Sequence, residues 1–347
     1  MHPKVSVIIP VYNVEDYLIE CLNSVNTQTL KDIEIICIND GSTDDSLLII
    51  EAFAEIDNRI IVFNQKNQGV GAARNRGLSY ALGEYVYFMD GDDYLEKYAL
   101  EELYTEATNR NADFVMFKIN NFYEDNPTQI ENDDYYTMPY LKRRVGRNNF
   151  DYFSVSDIAL DLCVCPPGNL FKRSFIDDIR FPEGLIFEDN VFFTHALFKA
   201  KRIYFHDKFL YNRRKRFEST SNPPLVKLLD TIQITNKLLA LCDKYNHDKH
   251  KPDLYYRIFP NIYGIFKQVK ETEKQEFFDR IRKEFVKSSF QWEKDEYFKE
   301  NLNPKYTHMY NCVLNSKNWK TFSKCMENYL NGRTDNTGRL TNLRGRF

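Results

Sequence analysis

Over the first 117 positions the apolar residues follow two alternating patterns, short β-branched runs and longer stretches at helical spacing. Residues 5–9 (VSVII) read as a strand, and the turn PVYN leads into an amphipathic helix over 17–26. A second apolar run at 33–38 is followed by NDGSTDD and a helix over 46–54. A third strand at 59–63 leads through NQKNQGVG to a helix over 72–82. The fourth strand covers 85–89, and a helix over 100–109 precedes a fifth strand at 114–117. Repeated strand–helix units predict an α/β fold, with a mostly parallel sheet covered by helices on both faces. Between 118 and 160 the pattern is lost and Asn, Asp and Tyr dominate, which predicts a variable excursion beside a site. Order resumes over 163–176, 181–200 and 202–216, and SNPP at 221–224 marks a break. Beyond it 225–245, 255–269 and 275–288 have helical spacing, with shorter helical pieces to about residue 330. The expected division is a domain over 1–221, a helical region over 225–330 and a polar, flexible tail over 331–347.

Composition sharpens that division. The net charge of -3 conceals an asymmetry: residues 1–224 carry 24 basic and 35 acidic side chains, whereas residues 225–347 carry 23 and 15. The basic half offers a face to anionic lipid or a phosphorylated acceptor, and reads equally well as a solvated helical surface. No nucleic-acid partner is expected. Aromatic residues make up 15% of the chain, and most are expected to fill the core. The seven cysteines (21, 37, 163, 165, 242, 312 and 325) form no CxxC pair, and Cys163 with Cys165 lacks partners for a zinc site. This predicts a reduced, cytoplasmic protein. The opening MHPKVSVIIPVYN is broken by Pro10 and does not read as a signal peptide. No apolar run approaches the roughly 20 residues of a membrane helix, so any membrane contact is expected to be peripheral, at the inner face.

Candidate chemistry gathers at the ends of the predicted strands. The segment EYVYFMDGDDYL (84–95) takes a buried strand straight into Asp90, Asp92 and Asp93. Carboxylates so placed repel one another unless a cation lies between them, and a divalent metal with oxygen ligands answers that need. A calcium loop starting at Asp90 would need Gly where Leu95 stands. A haloacid-dehalogenase phosphatase carries its Asp-x-Asp after the first strand, not the fourth. Strand one ends in Pro10-Val11-Tyr12-Asn13 without GxGxxG, which argues against NAD or FAD; a stiff turn and an aromatic face instead suit a nucleotide base. Asp40, at the end of strand two, is placed to accept a base N–H, while Ser42 and Asp45 resemble a capping box and, with Asp44, read as helix-start residues. Asn67 to Asn75 supplies small residues for close packing and Arg74 one turn into the helix. Arg74 reads as a diphosphate or carboxylate partner, or as an ion pair with a sheet-edge aspartate.

Taken in order, VSVIIPVYNVEDYL, INDGSTDDS, NQGVGAARNRGL and YFMDGDDYL resemble the family 2 glycosyltransferases, inverting enzymes of the GT-A fold. The resemblance covers residues 3–117 strongly and extends more weakly to about 221. It implies a three-layer α/β/α domain in which Pro10, Tyr12 and Asp40 hold the base, with Asn67 and Arg74 nearby. It implies that Asp90-Gly91-Asp92 is the family's Asp-x-Asp motif, with Asp92 as direct ligand of Mn2+ or Mg2+ and Asp90 or Asp93 in support. It places a catalytic base at Asp189, with Glu188 orienting it or touching the acceptor, although acids at a helix start are also common on dipole grounds alone. Arg213, Arg214 and Arg216, followed by Glu218 to Ser221, resemble a basic segment that closes over the diphosphate. Relatives carry a metal-binding histidine there; this segment has none, and His195 and His206 read as structural.

The expected activity is inverting transfer from a UDP-sugar donor to a glycan or lipid-linked acceptor, in cell-surface polysaccharide or glycoconjugate synthesis. Two alternatives remain at this stage. A nucleotidyltransferase making activated sugars would need a glycine-rich basic loop, which VSVIIPVYNVEDYL lacks. A catalytically silent sugar-nucleotide-binding module would not need Asp92 and Asp189. The basic helical region could bind acceptor, lie on membrane or support a homo-oligomer.

Overall fold

The computed structural model describes residues 3–126, 129–216, 229–292, 294–296, 300 and 304–331. They form two compact units, Met1–Ser219 and Thr220–Phe347. The expected segment at 218–221, the break at 221–224, the helix start at 225 and most of the tail lie outside the described residues.

In the first unit β1 (Val5–Val11) and β2 (Ile33–Asn39) are apolar on both faces and buried almost throughout, as strands covered by helices must be. With β3 (Ile60–Asn64) and β4 (Tyr85–Phe88) they make the parallel half of an eight-stranded sheet. The other half comprises β5 (Tyr94–Leu95), β6 (Phe114–Tyr123), β7 (Asn169–Lys172) and β8 (Ile203–Lys215). The strand order is β3-β2-β1-β4-β7-β6-β8-β5. β7 runs antiparallel to both of its neighbours, β5 is antiparallel to β8, and the other four pairings are parallel. Helices α1 (Glu15–Asn26), α2 (Ser46–Ile56), α3 (Val70–Tyr80) and α4 (Ala99–Asn109) supply the expected crossovers. Aromatic side chains do fill the core: Phe181 stacks on Phe192 at 4.0 Å, and both meet Phe88 edge-on.

Register decides what the sheet presents. Val11 lies opposite Asn39, so β1 and β2 end level, while Phe88 lies opposite Ile8, so β4 stops three residues short of them on the same edge. Tyr12, Asp40 and Asp90 therefore leave the sheet along one edge, the carboxyl edge where α/β folds hold ligands.

The structure corrects three expectations. β6 does not stop at 117 but runs to Tyr123 alongside β8. Its polar Asn120 and Asn121 read as loop, yet they are paired across the sheet, Asn120 donating to Asn212 (3.1 Å) and Asn121 accepting from Arg213 (3.3 Å). The excursion thus shrinks to the short helices α5 (Asp134–Thr137), α6 (Pro139–Val145) and α7 (Tyr152–Val155) with their links. Ser42 and Asp45 make no capping box. Ser42 Oγ accepts the Asn13 N–H, and Asp44 bridges the α1 and α2 starts by accepting from the Glu15 and Ser46 amides. The third correction concerns cysteine.

The second unit is helical: α9 (Asp230–Tyr245), α10 (Lys251–Gln268), α11 (Lys274–Trp292), α12 (Pro304–Asn315) and α13 (Trp319–Asn331), with α8 (Glu188–Lys199) belonging to the first. Buried Trp292, Phe285 and Tyr255 meet edge-on in its core. Cys312 and Cys325 are joined as a disulfide between α12 and α13, against the expectation of a fully reduced chain. Their spacing matches no motif; helix packing brings them together. Among the described residues no helix is long and apolar enough to cross a membrane.

Candidate functional site

At one end of the sheet edge Tyr12 stands exposed beyond Pro10, at the last turn before α1. Asp40 beside it is buried and engaged. Its Oδ1 accepts from Gln65 Nε2 (2.8 Å) and the Gln68 amide (2.9 Å), and its Oδ2 from the Gly69 amide (2.8 Å). A carboxylate has about four acceptor positions, so one is left for a ligand. Gly41 explains the tight approach: at φ 76° it occupies the left-handed region, and a Cβ there would stand 2.8 Å from the Asn67 amide nitrogen. Asn67 itself is exposed on this loop.

The aspartate cluster divides by burial. Asp93 is buried and accepts from Tyr211 Oη (2.5 Å) and the Arg214 amide (2.7 Å), so it fastens β8 to the cluster and does not face the open side. Burial, then the neighbouring Asp92 and Asp90, push its carboxyl well above the ordinary range. Asp92 accepts from Arg216 through Oδ2 (2.5 Å), and Asp90 from Arg74 through Oδ1 (2.8 Å). Asp92 Oδ1 and Asp90 Oδ2 have no partner among the described residues. Gly91 between them packs under Val14 and Pro10, whose atoms a Cβ would meet at 3.2 and 3.4 Å. Arg214 is also held here, donating to Asp92 O (3.0 Å) and to Glu20 and lying over Tyr17 and Phe122. Arg213 lies over Tyr136 instead.

Arg74 is the hub. It is buried, and its two terminal nitrogens bind Asp90 and Glu188 (2.6 Å). The ion pair with a sheet-edge aspartate that the sequence suggested for Arg74 is formed, with Asp90. Gly71 lets α3 approach closely enough for this, since a Cβ there would stand 2.9 Å from Pro182 O and 3.2 Å from Glu188 Cγ. Phe187, at φ 64°, turns the chain into α8 so that Glu188 and Asp189 occupy its first turn. Asp189 Oδ1 accepts from the Asn190 amide (2.9 Å), while its Oδ2 has no partner among the described residues. Burial and the adjacent Glu188 raise the Asp189 carboxyl to about 7, against the opposing pull of Arg74.

The structure thus connects Asp90, Arg74, Glu188 and Asp189 along one line, with Asp92 and Arg216 beside it. His206 pairs with Glu102 (3.0 Å), as a structural residue would. Sequence reasoning missed Tyr211, Tyr17, Glu20 and Tyr136, which position the aspartates and arginines. Tyr211 directly precedes the basic segment already singled out; the others carry no local signal. Two open carboxylate oxygens, on Asp90 and Asp92, form a hard donor set that suits Mn2+ or Mg2+.

The model for glycosyl transferase family 2 matches residues 6–180. GlyA, a glycosyltransferase of Streptococcus pneumoniae serotype 4, is 37% identical over 63% of this chain, which spans 31% of that longer protein. An uncharacterised glycosyltransferase of Bacillus subtilis, EpsJ, is 34% identical over 71% of each chain. The cholesterol galactosyltransferase of Borreliella burgdorferi is 32% identical over 77% of this chain and 75% of its own. Among solved structures, Staphylococcus aureus TarS 1–349 superposes with a TM-score of 0.69 at 22% identity, over 95% of this chain and 92% of that one. It has been solved with UDP and with UDP-GlcNAc. With a family model matching half of its length and relatives above 30% identity matched over more than two thirds of theirs, the chain belongs to glycosyl transferase family 2, as a glycosyltransferase of the GT-A fold.

Proposed function

We propose that the chain transfers a sugar from a UDP-sugar to a hydroxyl of a glycan or lipid-linked acceptor, with inversion at the anomeric carbon, in the synthesis of a cell-surface polysaccharide or glycoconjugate. The observation that carries this reading is Asp189, a carboxyl raised to about 7 at a helix start and joined through Glu188 and Arg74 to the aspartates of the sheet edge. A base working near neutral pH needs such a value. TarS in complex with UDP and UDP-GlcNAc supports a uridine donor.

The base rests on Tyr12 and Pro10, and the remaining acceptor position of Asp40 takes its N–H. The diphosphate lies toward Arg216, with Arg213 and Arg214 behind it. Arg74 acts as a positioning residue: its two terminal nitrogens hold Glu188 and Asp90, and its Nε is buried without a partner. Asp92 with Asp90 would hold Mn2+ or Mg2+, which when bound supplies positive charge against the leaving diphosphate. As the acceptor oxygen bonds to the anomeric carbon, its proton passes to Asp189. The bond from that carbon to the diphosphate oxygen breaks, and its electron pair leaves on UDP. Attack from the opposite face gives inversion. Glu188, committed to Arg74, keeps Asp189 basic.

The test is UDP release from a panel of UDP-sugars, with and without a chelator. Asp189→Asn should lower turnover on the order of 10³-fold while UDP binding stays within about twofold. Near-normal turnover in that variant would sink the assignment.

A further inference from the structure

In the helical unit His308 and Cys312 lie four residues apart on α12 and so share one face of that helix. Cys325 of α13 meets them, with its Sγ 3.8 Å from His308 Nε2. The three ligand atoms all lie within 4.8 Å of one another. We infer that these three side chains bind zinc when the cysteines are thiols, and that the metal site and the Cys312–Cys325 disulfide are alternative states of one cluster.

Donor chemistry selects the metal. Two sulfurs and an imidazole are soft and borderline ligands, which suit zinc and disfavour the Mn2+ or Mg2+ assigned to the sheet edge. An iron–sulfur cluster would need four ligands of this kind. Zn–S and Zn–N bonds of about 2.3 and 2.0 Å place ligand atoms roughly 3.5–3.8 Å apart around a tetrahedral ion. The histidine already stands at that distance from Cys325. The Cα atoms of Cys312 and Cys325 stand 5.8 Å apart, close enough for two thiolates to share one tetrahedral ion. With three protein ligands the fourth position falls to water. Cys312 is buried, while His308 and Cys325 are half-buried, so the cluster is shielded on one side and open to an ion or a reductant on the other.

The other cysteines offer no such arrangement. Cys21, Cys37, Cys163 and Cys242 are buried free thiols and Cys165 is a half-buried one, and among the described residues His308, Cys312 and Cys325 are the one grouping of three such ligands. The balance between the states is simple. A dithiol supplies two electrons and two protons to open the disulfide, becoming a disulfide itself. A phosphine supplies the two electrons and is converted to its oxide by water, which gives the two protons. Zinc then displaces the two thiol protons. The metal and the S–S bond claim the same sulfurs, so the presence of one excludes the other.

Cobalt(II) added to the full chain, reduced with a phosphine under argon, provides the test. A sulfur-to-cobalt charge-transfer band should grow to one equivalent per chain, vanish on addition of zinc, and be absent from the unreduced chain. Cobalt at Asp90 and Asp92 gives no such band, so Asp92→Ala should leave it unchanged. His308→Ala and Cys325→Ser should each lose it, whereas Cys242→Ser should keep it. A reduced chain without the band overturns the inference. So does a band that survives both His308→Ala and Cys325→Ser, or one that requires Cys242. Circular dichroism of each variant separates loss of the site from loss of the fold, and His308→Gln, retaining the fold, must lose the band as well.

Discussion

Asp189 can accept a proton only when it carries none, and its carboxyl titrates at about 7. The sign of the pH dependence follows. Below 7 the residue is protonated and idle, so kcat/KM should rise about tenfold per pH unit through the acid range and level off above 7. The Glu188 charge is one cause of the raised value, so Glu188→Gln should move this limb to lower pH, the opposite of what simple unfolding of the site would give. Arg216 is bonded to Asp92, and in the proposed reaction a diphosphate takes over that guanidinium. Arg216→Ala should therefore raise the KM for donor roughly 10- to 100-fold, a charge-assisted contact contributing about 1.5–3 kcal/mol. Initial rates across donor concentration and pH check both expectations.

Among the elements, α3 shows how close packing builds the site. A Cβ on Gly77 would stand 2.4 Å from Cγ2 of Ile8, a fully buried residue of β1. Gly77→Ala should cost about 1–3 kcal/mol through overpacking, read as a lowered Tm. The small residues of NQGVGAARNRGL announced this contact, just as apolar runs announced β1 to β4, because both signals are local. Asp90 and Asp92 stood out for the same reason, as carboxylates at the end of a periodic segment, whereas Asp189 was reached through the resemblance of its Glu-Asp pair to the family's. What the sequence hid is non-local. The antiparallel insertion of β7 depends on pairings with distant strands. The polar end of β6 is a strand only because Asn212 and Arg213 satisfy it. Asp93 looked like a ligand because Tyr211, 118 positions away, carries no local sign that it claims that carboxylate.

For the whole molecule, the division into two units predicts separable unfolding. The disulfide closes a loop of 13 residues within the helical unit, a constraint on the unfolded chain of about 3 kcal/mol. Reduction in the presence of a chelator should therefore lower the transition of that unit and leave the transition of the first unit in place. Scanning calorimetry with and without reductant reads this directly; a uniform shift of both transitions would contradict it. Metal added to the reduced chain should restore part of the loss if zinc occupies the same sulfurs.

The joined starts of α1 and α2 have a further consequence. The Asn13, Val14 and Glu15 amides are held by Ser42, Ser46 and Asp44, the Thr43 and Asp45 amides by Asn13 and Glu15, and the loop at 65–69 by Asp40. Three turns from separate crossovers thus form one frame before any nucleotide arrives. Their conformational entropy is lost during folding, not during binding, so donor affinity carries little ordering cost at this end. The amide hydrogens of Val14, Glu15, Gln68 and Gly69 should then exchange slowly with solvent in the donor-free protein, with little further slowing when UDP binds.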